Sequence, residues 1–123
     1  MKLVFIIGLG GGIGSMFRYL MQVFVSRHLP IAFPWGTFLV NCSGCFLIGM
    51  LYALSARHSW LTVEWRMFLI TGLCGGYTTF SSFSYESISL FRQGAYSYFL
   101  LYTVLSVVLG LMATVAGVAI LND

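Results

Sequence analysis

Residues 72–84 read GLCGGYTTFSSFS, a polar and glycine-rich run with apolar sequence on both sides. The run holds three glycines, two threonines and three serines, together with two phenylalanines three positions apart. Irregular backbone at membrane depth is tolerated only where protein buries it or where it lines a cavity. The organisation of the whole chain therefore depends on where this run lies.

The composition is that of a membrane protein. Of the 123 residues, 59% are hydrophobic and only 7% are charged, whereas soluble domains carry about 25% charged residues. A bilayer crossing needs ~20 predominantly apolar residues. We predict an all-α membrane protein in which residues 1–123 form one domain with four transmembrane helices, at about 3–25, 35–55, 63–91 and 97–121.

The third predicted span is too long for one straight helix. The 28 residues from Glu64 to Phe91 would extend about 42 Å at ~1.5 Å each, which exceeds the ~30 Å hydrocarbon core. Gly75 and Gly76 lie near its midpoint, and adjacent glycines lower the cost of leaving helical geometry. The segment must therefore tilt or break. We expect a break at mid-membrane whose freed carbonyls and amides bind ions, as in discontinuous transporter helices. A simple kink for packing is the alternative.

Phe80 and Phe83 are three residues apart, so they lie near one face if the helix resumes after the break. The edge of an aromatic ring is positive, and it can meet an anion without offering a full charge. Conduction requires binding that is favourable enough to enter and weak enough to leave. These rings therefore favour a passage for a small anion, with hydroxyl donors beside them at Thr79, Ser81, Ser82 and Ser84.

Asn41 lies within the second predicted span. Burial of a polar side chain without hydrogen-bond partners costs several kcal/mol. We therefore expect Asn41 to face a partner helix or a wet path.

Two other motifs favour packing over chemistry. The start MKLVFIIGLGGGIGS resembles a phosphate-binding loop, but no register of it satisfies G-x-G-x-x-G. We interpret it as a first helix whose Gly8, Gly12 and Ser15 admit a close neighbour. Cys42 and Cys45 have C-x-x-C spacing, but they lie in the second span without further metal ligands nearby and are interpreted as packing residues.

Positive charge is divided evenly between the two sides of the membrane. Orientation normally follows an excess of Lys and Arg on the cytoplasmic side. Either one strategic charge or the insertion machinery sets a single orientation, or the chain inserts both ways and pairs about a twofold axis in the membrane plane. The N-terminal side carries Lys2, Arg57 and Arg66, and the opposite side carries Arg18, Arg27 and Arg92.

Three stretches closely resemble motifs of the CrcB/Fluc family of fluoride channels. They are GGIGSMFRY (11–19), WGTFLVNCSGCFLIG (35–49) and GLCGGYTTFSSFS (72–84). The resemblance covers essentially the whole chain, including its length, four spans and weak charge bias. Ser82 stands where the family pattern often has Thr, a change that keeps the hydroxyl.

The resemblance implies an antiparallel, dual-topology homodimer with two narrow fluoride pathways. Phe80 and Phe83 would line each pathway, with Asn41 beside them. A polar track would be formed by the hydroxyls of Thr37, Ser81, Tyr102 and Ser106.

The resemblance also implies two sites for charge. A structural Na⁺ at the dimer centre would be held by backbone carbonyls of Gly75 and Thr78 from both subunits, and it would help to neutralise nearby anions. Arg18 matches the first-helix arginine of the family and would draw anions towards a vestibule.

The function that the resemblance implies is a passive, highly selective fluoride channel of the cytoplasmic (inner) membrane, not an enzyme, that lets fluoride leave the cell. Its partners would be fluoride, the lipid bilayer and a second copy of the chain, with no nucleic acid.

The main alternative is a proton-coupled exporter of the small multidrug-resistance type, which needs a carboxylate in the first helix. This chain has no acidic residue before Glu64, and Glu86 follows the polar break. A non-transporting scaffold subunit would have little need for the polar run.

Overall fold

The computed structural model describes residues 1–121, and every regular element in that range is helical. Asn122 and Asp123, the last two residues of the predicted single domain, lie outside the described range. The elements are α1 (Lys2–His28), α2 (Trp35–Arg57), α3 (Val63–Arg66), a π-helical segment (Met67–Cys74), α4 (Gly75–Tyr77), α5 (Phe80–Arg92) and α6 (Tyr96–Leu121).

Four crossings can be traced, and three of them are single long helices. Helices α1, α2 and α6 are each long and apolar enough to cross a membrane. The remaining crossing is assembled from consecutive shorter pieces, from α3 to α5. The predicted all-α fold, with three long apolar helices and one broken crossing, is confirmed.

The outer surface of the bundle is apolar. Bulky hydrophobic side chains are well exposed on every long helix, among them Phe5 and Phe24 on α1, Tyr52 on α2, and Leu111 and Val115 on α6. A soluble monomer rarely exposes large apolar patches, and on this protein exposed large hydrophobic side chains occur along all three long helices. Together with the length of the helices, this surface identifies a multi-pass membrane protein.

Helix α1 packs against the broken crossing through direct backbone contact. A Cβ atom at Gly10 would collide with the carbonyl oxygen of Phe68, and one at Gly76 would collide with the carbonyl oxygen of Gly11. Ser15 Oγ also donates to the carbonyl of Gly76 at 3.5 Å. Small residues allow this close approach, as is usual between membrane helices.

Of the residues predicted to admit a close neighbour, Ser15 contacts Gly76, whereas Gly8 and Gly12 meet no neighbour within a single chain. A Cβ atom built at either position has nothing within 4 Å. The inner face of α1 is instead marked by Gly10 and Gly14, which are buried. Because α1 is apolar on all sides, the sequence pattern could not distinguish these two glycine faces.

Helices α2 and α6 form a second close pair by the same means. A Cβ atom at Gly49 would collide with the carbonyl oxygen of Thr114, and one at Gly117 would collide with that of Phe46. The fold therefore consists of two glycine-mediated pairs, α1 with the broken crossing and α2 with α6.

The third crossing breaks at Thr78 and Thr79. Both residues have extended backbone, with ψ of 158° and 119°, between the end of α4 at Tyr77 and the start of α5. The predicted break at mid-crossing is confirmed. Gly75 and Gly76, which we expected to begin it, are still helical, and Gly76 serves the close contact with α1.

A tight turn returns the chain from α5 to α6. The Ala95 amide donates to the Leu90 carbonyl at 3.0 Å, and the Gly94 amide donates to the Phe91 carbonyl at 3.1 Å. Gly94 has a φ of +78°, so this is the Schellman arrangement that favours glycine after a helix. The turn brings α6 back alongside α5.

We predict that Gly76→Ala destabilises the protein, because the new methyl group would meet backbone atoms of Gly11 that cannot move aside. Overpacking of this kind typically costs about 1–3 kcal/mol. The midpoint of thermal aggregation in detergent micelles should fall. Gly8→Ala is the matched control, since its methyl group meets nothing within 4 Å, and equal midpoints for the two variants would contradict the packing account.

Candidate functional site

Asn41 of α2 holds the break in place. Its Oδ1 accepts a hydrogen bond from the Thr79 amide at 2.8 Å, and its Nδ2 donates to the Thr79 carbonyl at 3.0 Å. One side chain thus satisfies both backbone polar groups of a residue that is only 9% exposed. The expectation that Asn41 faces a partner is confirmed, and that partner is the backbone of the break.

The break also frees two backbone carbonyls from regular helical bonding. The Thr79 amide, four residues after Gly75, donates to Asn41 instead. The Ser82 amide, four residues after Thr78, donates to Thr79 Oγ1 at 3.1 Å, which caps the start of α5. The carbonyls of Gly75 and Thr78 are the pair that we predicted as cation ligands.

A cavity of about 290 Å³ lies beside the break, and we call it the Phe80–Phe83 cavity. The two ring centroids are 5.7 Å apart with their planes at 49°. Phe80 is 78% exposed, whereas Phe83 packs against the ring of Tyr102 at 5.2 Å. Ser106 Oγ is buried and has no hydrogen-bond partner among the described residues. The lining residues include Asn41, Thr78, Phe80, Phe83 and Ser106.

A second polar cluster is centred on Glu86 of α5. Glu86 Oε1 accepts a hydrogen bond from the Tyr102 hydroxyl at 3.0 Å, and its Oε2 accepts one from Thr37 Oγ1 at 3.1 Å. The Thr37 oxygen in turn accepts from Gln22 Nε2 at 3.2 Å. Thr37 and Tyr102 are fully buried, so the structure joins four helices through one polar network.

The Glu86 network faces a larger cavity of about 500 Å³, which we call the Glu86 cavity. Gln22 and Glu86 line it, together with Tyr85, Ser89 and the connection from α1 to α2. Phe83 links the two cavities, because it lines the smaller one and packs on Tyr102, whose hydroxyl holds Glu86.

The resemblance implies a polar track that includes Thr37 and Tyr102, but it does not indicate Glu86 as their shared acceptor. The sequence points to Glu86 only as the carboxylate that a coupled exporter would need. The available signal was an acidic residue inside an otherwise apolar span, because such a residue needs partners to be stable there. Gln22 gave no comparable signal.

Two predicted site residues, Ser81 and Arg18, line neither cavity. Ser81 is exposed, and its Oγ lies 3.2 Å from Thr79 Oγ1 at the break. Arg18 is on α1, and its Nε is buried without a hydrogen-bond partner among residues 1–121. Arg18 is not among the described residues that line either cavity.

The sequence also matches a known family. A sequence profile described as "CrcB-like protein, Camphor Resistance (CrcB)" matches residues 5–118. The chain belongs to the CrcB family. The three stretches that resemble this family, at 11–19, 35–49 and 72–84, all lie within the matched range.

Curated CrcB relatives cover nearly the whole chain. The "Fluoride-specific ion channel FluC" of Flavobacterium psychrophilum is 45% identical over 123 residues, which is 100% of this chain and 99% of that protein. The protein of the same name from Bacteroides fragilis is 48% identical over 120 residues, 95% of this chain and 94% of that protein. The one from Agrobacterium fabrum is 47% identical over 115 residues, 94% and 92% respectively.

We predict that Asn41→Leu loosens the break, because the amide and carbonyl of Thr79 both lose their partner. An unsatisfied buried polar group costs about 1–3 kcal/mol. Hydrogen–deuterium exchange in detergent should speed up in peptides covering Thr78–Phe80. Ser55→Ala serves as the control on the same helix, since Ser55 Oγ donates only to the Tyr52 carbonyl in its own helix. Unchanged exchange at the break in Asn41→Leu would refute the role of this side chain.

Proposed function

We propose that the chain is a passive, selective fluoride channel. The observation that carries the proposal is the Phe80–Phe83 cavity beside the break. Two aromatic rings, the Asn41 amide and an unpaired Ser106 hydroxyl line it, and none of the described lining residues is charged. The names of the curated relatives, which are fluoride-specific ion channels, support the same function, and it involves no enzymatic step.

The chemistry of this cavity suits transit rather than tight binding. Ring edges and a hydroxyl donor can replace part of the hydration shell of a small anion. Because no full positive charge lines the cavity, an ion held there can also leave, as conduction requires. We assign Phe80, Phe83, Asn41, Ser81 and Ser106 to the fluoride pathway.

Thr37 and Tyr102 belong to the same pathway in our proposal, on the side of the Glu86 cavity. Arg18, whose buried Nε has no partner within the described chain, would attract anions towards the protein. We propose the cytoplasmic (inner) membrane as its location, because a channel that lets fluoride leave the cell has to cross that membrane.

We infer that the working unit is an antiparallel homodimer. Phe80 lines a candidate pathway yet is 78% exposed on a single chain, so a second copy of the chain would complete the wall beside it. The even division of Lys and Arg, three on each side, supports insertion in both orientations.

A structural Na⁺ at the centre of that dimer is part of the proposal. The Gly75 and Thr78 carbonyls have lost their regular helical donors to Asn41 and to Thr79 Oγ1, and backbone carbonyls are suitable ligands for Na⁺ in membrane proteins. Two oxygens from each subunit would hold the ion, whose positive charge would offset that of the nearby anions.

We expect liposomes that contain the purified protein to release fluoride rapidly and chloride hardly at all. Release should be electrogenic, so it should need only an ionophore that balances charge. Protein-free liposomes correct for leakage of hydrogen fluoride. Release that required an opposing proton or cation gradient would contradict a passive channel and favour the coupled exporter.

Phe83→Ile should slow fluoride release by about three- to tenfold, the worth of an aromatic contact. Phe91→Ile on the same helix is the control and should not slow release, because Phe91 packs on Tyr96 and Phe99 instead.

We predict a mixed population of orientations in cells. A tag on the C-terminus should be accessible from both sides of the membrane in the parental protein. Ser59→Arg would change the Lys and Arg count from three against three to four against three, and it should enrich one orientation. A single orientation of the parental protein would refute the antiparallel dimer.

A further inference from the structure

One residue of the Glu86 network, Gln22, is connected to Glu86 only through Thr37. Gln22 of α1 has no contact with Glu86 of its own among the hydrogen bonds of the described residues. It donates from Nε2 to Thr37 Oγ1 at 3.2 Å, and Thr37 Oγ1 donates to Glu86 Oε2 at 3.1 Å. A hydroxyl group has a single proton to donate. Because the Gln22 amide approaches the Thr37 oxygen as a donor, the Thr37 proton remains available for Glu86.

Gly36 of α2 leaves room for the Gln22 amide because it has no side chain. A Cβ atom at Gly36 would collide with Oε1 of Gln22, and the three nearest atoms to it all belong to Gln22. Gly36 directly precedes Thr37 in the first turn of α2. The glycine thus leaves space for the Gln22 side chain next to the hydroxyl that it orients.

We propose that Gln22 is a positioning residue for the fluoride pathway, and that Gly36 leaves the space that its amide occupies. The amide fixes the direction of the Thr37–Glu86 hydrogen bond, so that both carboxylate oxygens stay bonded at the wall of the Glu86 cavity. Without it, the Thr37 hydroxyl can turn to another acceptor and release Glu86 Oε2. A mobile carboxylate at the cavity wall would then repel an approaching anion. This inference rests on the proposed channel function.

Two independent substitutions disturb the same contact. Gln22→Met keeps the length of the side chain and removes the donor. Gly36→Ala keeps Gln22 but displaces its amide, and it is compatible with folding because the only obstacle is the end of a flexible side chain and because alanine favours a helix. Each variant should reduce fluoride release from liposomes about fivefold, the worth of one ordinary hydrogen bond.

The double variant distinguishes positioning from general damage. If Gly36→Ala acts through Gln22, it should cause no further loss in the Gln22→Met background, since coupled residues are not additive. Ser55→Ala is the control. Ser55 lines neither cavity, and its Oγ donates only to the Tyr52 carbonyl of its own helix at 3.0 Å, so release should stay at the parental rate.

The pH dependence of fluoride release tests the positioning role directly, because a purely structural role of Gln22 would not change it. In Gln22→Glu the new side chain can donate to Thr37 only while it is protonated. Release by this variant should be near parental at low pH and should fall as the pH rises, after correction with protein-free liposomes. The parental and Gln22→Met profiles should run parallel to each other. Among the described residues, the titratable or charged groups near this position are Glu86 and Tyr85, which line the same cavity, Tyr102, whose hydroxyl donates to Glu86, and Arg18, which lies one turn earlier on α1.

The outcomes separate this inference from the channel function. Parental rates in both Gln22→Met and Gly36→Ala, additive losses in the double variant, or a pH-independent Gln22→Glu would each overturn the positioning role while the channel function stands. A parental protein that releases no fluoride would overturn the channel function and this inference with it. Size-exclusion profiles in detergent confirm that each variant is folded before its rate is compared.

Discussion

The paired hydrogen bonds between Asn41 and Thr79 hold the third crossing open in the middle of the bundle. A side-chain amide has both N–H donors and an acceptor oxygen, so it can replace both partners of a peptide group. In lipid no water is present to do so, and unsatisfied backbone would favour an uninterrupted helix. The start of α5, the position of Phe80 and the release of the Gly75 carbonyl all depend on this contact.

The candidate pathway has a part lined by neutral groups and a separate part that contains a charged group. The Phe80–Phe83 cavity is lined by rings and neutral polar groups, while the carboxylate of Glu86 is bonded on both oxygens by hydroxyl groups. Phe83 and Tyr102 pack together between the two regions. An acidic side chain at membrane depth is costly unless it is paired. The buried hydroxyls that donate to Glu86 therefore stabilise the fold, and they also weaken the repulsion between its negative charge and an anion.

The crossings and the position of the break could be predicted because they follow from length, hydropathy and charge along the chain. The common face of Phe80 and Phe83 followed from helical spacing. The inner face of α1 and the Glu86 network could not, because both depend on which helices become neighbours. The sequence indicated that Asn41 needs a partner, but only tertiary structure identifies Thr79 as that partner. The π-helical segment Met67–Cys74 had no recognised sequence signal.

The glycines of α1 have a consequence for how the protein is made. Five glycines lie between Gly8 and Gly14, and each costs a helix about 1 kcal/mol relative to alanine in water. This stretch would not stay helical in an aqueous environment. Inside a bilayer the backbone must bond to itself, so the same stretch becomes helical on insertion. The close fit of α1 to the broken crossing is therefore available only after the chain has entered the membrane, which couples folding to biogenesis and leaves little opportunity for misassembly beforehand.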